Sequence, residues 1–210
     1  MDEFSYFFSF FGLILGLTIA EVASKFADAI DAHGRRPIGI LTPLLAAFVL
    51  CDISSFWLWT WSMRAMIHVG WGLVMGALLV SMAYFLSASL IFPRSEGEWA
   101  SLDEHYWQRK RQVLAGITLA NLAVLLVMLS RVVPAWTDTW AFFWMGIYFI
   151  PLASLWISRS KRVNIAILVV LLLQYQMIYA GLFPHSRWGN AIGLNGDSAK
   201  AATSAPAPPK

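Results

Sequence analysis

The chain has 210 residues, of which 59% are hydrophobic, 15% aromatic and only 13% charged. Soluble domains are typically ~45–50% apolar and ~25% charged, so this composition excludes a water-soluble globular protein. The net charge is only +3, and the single cysteine, Cys51, excludes an internal disulfide or a cysteine-based metal cluster within one chain.

Six apolar segments are long enough to cross a bilayer core, which takes about 20 helical residues. The first begins MDEFSYFF, without the basic region of a signal peptide, and therefore predicts a retained helix. The predicted spans are 4–23, 38–63, 70–92, 113–133, 139–157 and 163–183. We expect an all-α integral membrane protein whose residues 1–183 form a six-transmembrane-helix bundle.

The segments between and after the spans carry three further signals. In the loop 94–112, Ser101 and Glu104 have the spacing of a capping box, which predicts a short amphipathic helix that runs into the fourth span. Pro151 is expected to kink the fifth span. The tail 184–210 ends AATSAPAPPK and is predicted to be disordered.

The distribution of basic residues predicts the orientation. Ten Lys and Arg residues lie in the first, third and fifth loops, against two in the other loops and three in the tail. The positive-inside rule then places both termini outside (N-out/C-out), and most tryptophans fall near the outer interface, as an aromatic belt requires. The cytoplasmic loop after the third span also allows a three-plus-three division into halves of opposite topology, although the halves show no convincing sequence symmetry.

Polar residues at membrane depth are the candidate functional residues. Asp52 lies about 15 residues, or roughly 22 Å, into the second span, and an ionisable residue there costs about 2.5–3.5 kcal/mol, which makes a functional role the default hypothesis. Arg131 is expected at a similar level and could pair with it. Asn121, Gln174 and Ser55 complete a predicted polar core, either for ion or proton movement or as interhelical hydrogen bonds that lock packing.

Gln174 also suggests a polar cavity. Together with Tyr175 and Tyr179 of the sixth span, it could line one with Tyr84 and Ser81 of the third span. Gln176 does not share a face with Gln174, so both cannot point inward.

The remaining polar residues predict no catalytic or metal chemistry. Glu21 and Lys25, four residues apart, are expected to form an interfacial ion pair. No histidine lies at mid-membrane and no two are spaced i, i+4, so we expect no metal site and no cofactor. The basic clusters beside the spans indicate anionic lipid headgroups on the cytoplasmic side as the partner, and not nucleic acid. The GxxxG pairs Gly12/Gly16 and Gly72/Gly76 leave intramolecular packing and a homo-oligomer open.

Several features together resemble a known group of proteins. They are the first-span segment Gly12-Leu-Ile-Leu-Gly16-Leu, a Trp-rich second span, Phe92-Pro93, and Asp103-Glu-His-Tyr106 followed by Arg109-Lys-Arg111. This pattern resembles a family of uncharacterised bacterial polytopic inner-membrane proteins with no assigned activity. The resemblance implies a multi-pass protein of the bacterial inner membrane and no functional residue.

Two functional hypotheses follow. The first is a small transporter or channel for an ion or small solute, with Asp52 as its membrane-embedded carboxylate. The alternative is a non-catalytic membrane subunit or scaffold of a larger or homo-oligomeric complex. An enzyme is not expected, because no catalytic motif is present. The environment of Asp52 distinguishes the two hypotheses: a hydrated cavity favours transport, and burial against Arg131 favours structure.

Overall fold

The computed structural model describes residues 2–31, 37–64, 67–93, 101–182 and 186–191. Within these ranges every regular element is a helix. The helices are α1 (Glu3–Asp31), α2 (Leu41–Ser62), α3 (Trp71–Ser89), α4 (Leu102–Arg131), α5 (Thr139–Ile157), α6 (Lys161–Tyr179) and α7 (Arg187–Ala191). By length and composition, α1 to α6 are able to cross a membrane, so the predicted all-α six-helix bundle is confirmed.

The fourth helix includes the predicted amphipathic segment. α4 begins at Leu102 and continues without a break to Arg131. The hydroxyl oxygen of Ser101 accepts a hydrogen bond from the backbone N–H of Glu104 at 3.3 Å, which is the first half of the predicted capping box. Ser101 is thus the N-cap of α4, and the predicted helix that starts there and runs into the fourth span is present.

The predicted disorder of the tail is wrong for α7. Trp188 is 5% exposed, and its backbone N–H donates to Oδ2 of Asp138 at 2.7 Å while its indole N–H donates to the carbonyl of Val132 at 2.7 Å. These contacts fix α7 against the loop between α4 and α5, which offsets the entropy of ordering it. Residues 192–210 lie outside the described residues.

α2 lies at the centre of the bundle. It packs against α1, α3, α4 and α6, and 44% of its most apolar stretch is buried, the largest share among the six long helices. α3 packs against α1 and α4, and α5 packs against α4 and α6. Since α2–α6 and α3–α4 contacts join the two predicted three-helix halves, these halves are not separate bundles.

The two ends of the bundle differ in structure. At one end, called here the Lys110 end, α2, α4 and α6 begin. Oδ1 of Asp103 accepts hydrogen bonds from the backbone N–H groups of Ile40 at 3.1 Å and Leu41 at 3.0 Å, and its Oδ2 lies 2.6 Å from the ammonium of Lys161. One carboxylate from α4 thus caps the N-terminus of α2 and contacts α6.

Lys110 itself stabilises the end of α5. Its side chain is buried, and Nζ donates to the carbonyls of Leu155 at 3.0 Å and Ser158, and to Oδ1 of Asn164 at 3.0 Å. Tyr106 donates to the same Asn164 oxygen at 2.7 Å. The cation satisfies carbonyls that a helix end leaves unpaired, and its charge complements the helix dipole.

At the opposite end, called here the Trp188 end, α2, α4 and α6 terminate and α7 packs beside the start of α5. Between this end and the Lys110 end lies an apolar layer of fully buried side chains. Its members are Phe48, Val49, Ile117, Leu152 and Leu171.

Close helix packing occurs at a glycine outside the GxxxG pairs. A Cβ on Gly116 would lie 2.0 Å from Oγ of Ser87 and 2.9 Å from the carbonyl oxygen of Ala83, so α3 and α4 approach closely here. Cβ atoms on Gly16, Gly72 or Gly76 would meet no described atom within 4 Å. Of the four GxxxG glycines, Gly12 does have a close neighbour, since its Cβ would lie 3.3 Å from Nε1 of Trp57 on α2, so intramolecular packing and a homo-oligomer both stay open.

Candidate functional site

Asp52 is a buried carboxylate that accepts hydrogen bonds from four helices. It is 1% exposed. Its Oδ2 accepts from the hydroxyl of Tyr84 on α3 at 3.0 Å and from the amide of Asn121 on α4 at 2.8 Å. Its Oδ1 accepts from the hydroxyls of Tyr148 on α5, at 3.1 Å, and Tyr175 on α6.

The four donors around Asp52, called here its shell, are electrically neutral groups. A carboxylate offers about four lone-pair positions, and the three phenols and one amide fill them. Among the described residues, no Lys, Arg or His lies within ion-pair distance of Asp52. Burial of an anion without a counter-ion is costly, and hydrogen bonds from neutral donors offset only part of that cost. An ionised Asp52 therefore gives the site a local negative charge that favours a cation nearby.

A cavity of about 200 Å³ lies directly beside the carboxylate. The lining residues nearest to the Lys110 end form its floor: Asp52 on α2, Asn121 on α4, Tyr148 on α5 and Gln174 on α6. From this floor the cavity extends toward Trp188 of α7. Its aromatic lining comprises Phe56, Trp59, Trp144, Tyr148, Phe149, Tyr175, Tyr179 and Trp188.

The apolar layer lies immediately beneath this floor. Phe48 and Val49 precede Asp52 by about one helical turn, Ile117 precedes Asn121 by one turn, and Leu171 does the same for Gln174. All four side chains are fully buried. Asp52 can therefore be approached through the cavity from the Trp188 side, whereas packed apolar side chains separate it from the Lys110 end.

Gln174 lines the cavity and carries a buried acceptor. The residue is 4% exposed, and its Oε1 has no hydrogen-bond partner among the described residues. A buried polar atom left unpaired costs about 1–3 kcal/mol. Oε1 itself has less than 1 Å² of accessible surface, so Gln174 lines the cavity with its other atoms, and a solute reaches Oε1 only when the side chain turns. Gln176 is exposed, in agreement with the expectation that the two glutamines face different ways.

The structure brings four of the five predicted polar-core residues together. Asp52, Asn121, Gln174 and Ser55 all line the cavity. Ser55 donates its hydroxyl to the backbone carbonyl of Asp52 at 2.8 Å, and its own carbonyl accepts from the hydroxyl of Tyr179 at 3.2 Å. Ser55 therefore supports the wall of the cavity and makes no hydrogen bond to the carboxylate.

The expected pairing of Asp52 with Arg131 is wrong. Arg131 is exposed and lies along a second cavity of about 440 Å³ at the Trp188 end. The reason is its depth: Asn121 marks the level of Asp52 on α4, and Arg131 lies ten residues, or roughly 15 Å, further along the helix. The two cavities adjoin, since Phe56 and Trp59 line both.

The expected ion pair between Glu21 and Lys25 is also not formed. Among the described residues, the partner of Lys25 is Asp28, with Nζ 4.0 Å from Oδ2. All three side chains lie at the surface of the same helix, where ion pairs exchange at little energetic cost. This cluster is remote in sequence and position from the carboxylate site.

Sequence reasoning missed two residues of the site. Tyr148 donates to Asp52, and Trp188 lines the far end of the cavity. A phenol in the middle of the apolar fifth span was a usable signal, because a buried tyrosine hydroxyl usually finds a partner. No equivalent signal marked Trp188 within a polar tail.

The described residues contain no group of three or more His, Cys, Asp or Glu side chains that could hold a metal ion. No protein-family model matches the chain, and neither does a curated protein or a solved structure. The geometry of the Asp52 site is therefore the basis for a functional assignment.

Proposed function

We propose that this protein is a small membrane transporter or channel for an ion or small solute, with Asp52 as its central carboxylate. The observation that carries the proposal is the position of Asp52, which forms the floor of a cavity where none of the described residues places a cationic side chain beside it. A permanent structural carboxylate is usually neutralised by a basic partner. Here that role is left to a group that enters the cavity.

The electrostatics favour a positively charged solute or a proton. Coulomb attraction is several-fold stronger at low effective dielectric than in water. The four neutral donors hold the carboxylate in place without cancelling its charge. A cation that reaches the cavity therefore gains an ionic interaction with Asp52 that no described residue supplies.

The apolar layer favours a gated mechanism over a permanently open pore. Phe48, Ile117 and Leu171 are fully buried on the Lys110 side of the carboxylate. Passage of a charged solute through such a layer requires the helices around α2 to shift. Alternation between two such packings is a common basis of transport.

The alternative function is a non-catalytic membrane subunit or scaffold. It is favoured by the completeness of the Asp52 shell, because one carboxylate joins α2 to four other helices without any solute. On that reading the cavity is a packing defect filled by water or lipid. The two functions differ in whether the protein moves a solute across the membrane.

The cellular setting is part of the proposal. We place the protein in the bacterial inner membrane as a multi-pass protein with both termini outside. This orientation puts the Lys110 end at the cytoplasmic face, where Lys161, Arg109 and Arg111 can contact anionic lipid headgroups. A homo-oligomer is compatible with this arrangement.

Uptake by liposomes containing the purified full-length protein tests the proposal. We expect protein-dependent uptake of at least one of H⁺, Na⁺, K⁺ or a small organic cation, relative to protein-free liposomes. Equal uptake with and without protein for this whole set would contradict the transport function and favour the scaffold.

A further inference from the structure

We infer that the cavity beside Asp52 binds a small organic ammonium ion. The inference rests on the proposed function, because it names the class of solute for the same cavity. Three features of the cavity carry it: the shielded charge of Asp52, the aromatic lining, and the unpaired oxygen of Gln174.

The hydrogen-bonded shell of Asp52 discriminates against a bare metal ion. Hard metal cations bind by direct contact with several oxygens. Tyr84, Asn121, Tyr148 and Tyr175 already occupy the lone-pair positions of the carboxylate, so direct coordination would break at least one of these bonds. An ammonium ion whose charge is spread over alkyl groups needs no such contact. Such an ion is attracted to the carboxylate of Asp52 across the tyrosine hydroxyl groups that surround it.

The cavity lining supplies the surface that such an ion prefers. Three tryptophans from three helices line the cavity: Trp59 of α2, Trp144 of α5 and Trp188 of α7. The lining also includes Phe56 and Tyr179. Ring faces attract cations, tryptophan most strongly, and clusters of aromatic rings are the usual recognition surface for quaternary ammonium groups. An inorganic ion would gain much less from these aromatic rings, since the rings do not supply the oxygen ligands that would replace its lost hydration water.

Gln174 provides a directional contact once its side chain turns toward the cavity that it lines. Its buried Oε1 has no partner among the described residues, and after that turn it accepts a hydrogen bond from an N–H or O–H group of the solute. This acceptor favours a primary or secondary ammonium, or a quaternary ammonium that carries a hydroxyl. A solute that donates a hydrogen bond to this oxygen removes the energetic cost of leaving it buried and unpaired.

The size of the cavity limits the occupant. At about 200 Å³ it is smaller than the ~300–1,000 Å³ of pockets that hold drug-sized ligands. The solute therefore has few heavy atoms, on the scale of a trimethylammonium group with a short substituent.

Calorimetric binding of choline to the purified full-length protein in lipid nanodiscs tests the inference. The matched control ligand is 3,3-dimethyl-1-butanol, which has the shape and hydroxyl of choline without its charge. We expect choline to bind at least about tenfold more tightly than the neutral alcohol, because only choline carries the charge that Asp52 attracts. Equal binding of the two, or binding of neither, overturns the inference.

Variants locate the binding to this cavity. Asp52→Asn removes the charge, and Trp144→Leu removes one aromatic wall without touching the shell of Asp52. We expect each to weaken choline binding by about tenfold or more, whereas Arg131→Gln in the adjoining cavity leaves it unchanged. If Asp52→Asn does not fold, Trp144→Leu still tests whether choline binds in this cavity. Unchanged choline binding by folded Trp144→Leu contradicts binding in the cavity beside Asp52.

The failure of this inference and the failure of the proposed function give different results. Uptake of Na⁺ or K⁺ by liposomes, together with no choline binding, leaves transport standing and removes the organic cation. Specific choline binding with no uptake of any cation, choline included, retains the site and removes transport.

Discussion

The hydroxyl of Tyr175 on α6 donates a hydrogen bond to Oδ1 of Asp52 on α2, and Tyr148 of α5 donates to the same oxygen at 3.1 Å. Both tyrosines also line the solute cavity. A cation in the cavity therefore meets the phenols that hold α5 and α6 against α2. This arrangement gives a direct physical route from solute binding to the relative positions of three helices.

Tyr175→Phe removes one of these donors and leaves the ring in place. We expect the free energy of unfolding in detergent to fall by about 1–3 kcal/mol, because a lone pair of a buried carboxylate loses its partner. Tyr6→Phe, at a side chain that is 74% exposed, is the matched control and is expected to change stability by less than about 0.5 kcal/mol.

A double-mutant cycle assigns the loss to Asp52. In an Asp52→Asn background, Tyr175→Phe is expected to cost less, since the charged acceptor is gone. If Tyr175→Phe costs the same in both backgrounds, the hydrogen bond to the carboxylate does not account for the loss.

Lys110→Met tests the other end of the bundle. The substitution keeps an unbranched apolar stem and removes the ammonium that donates to Leu155, Ser158 and Asn164. We expect the free energy of unfolding to fall by about 1–3 kcal/mol, since carbonyls at the end of α5 lose their partner. Thermal unfolding in detergent measures this change.

The control for Lys110→Met is Arg109→Met, at an exposed neighbour whose described contact is a hydrogen bond to Gln112. It is expected to be nearly neutral. Choline binding should survive Lys110→Met in the folded protein, because the cavity lies beyond the apolar layer. A loss of binding with unchanged stability would contradict this separation of the two ends.

Gly39→Ala is predicted to disturb the cap of α2. Gly39 has φ of +69°, and a Cβ there would lie 2.2 Å from Oδ1 of Asp103, the atom that accepts from Ile40 and Leu41. The strained backbone and the displaced cap together are expected to cost about 1–3 kcal/mol of unfolding free energy.

Gly16→Ala is the matched control, because its Cβ would meet no atom of the described residues within 4 Å and its backbone is helical. It is expected to be neutral or stabilising by up to about 1 kcal/mol. Equal losses for the two alanine variants in thermal unfolding would contradict the role of Gly39.

The sequence predicted the helices and the importance of Asp52 for the same reason. Hydropathy reports whether a segment can cross a membrane, and a carboxylate stands out in such a segment. Asn121 and Gln174 were found in the same way. The capping box at Ser101 was found because it depends only on local spacing.

The partners of Asp52 could not be chosen from the sequence. Spans that are apolar on every side carry little information about which face turns inward, so Arg131 was considered as a partner because of its opposite charge, and Tyr148 was not considered. The depth of Arg131 depended on where α4 begins, and helix bounds are the least certain part of such a prediction. The position of Trp188 depends on Asp138 and Val132, which lie 50 and 56 residues earlier in the chain.

Cation uptake by liposomes containing Asp52→Asn tests the central role of Asp52 most directly. The matched control is Asp28→Asn, the same change at an exposed carboxylate of α1. We expect uptake to fall to the protein-free level for Asp52→Asn and to remain at the wild-type level for Asp28→Asn, with both variants folded as judged by their melting temperatures. Wild-type uptake by folded Asp52→Asn would contradict the account, because the charge of Asp52 would then have no part in transport.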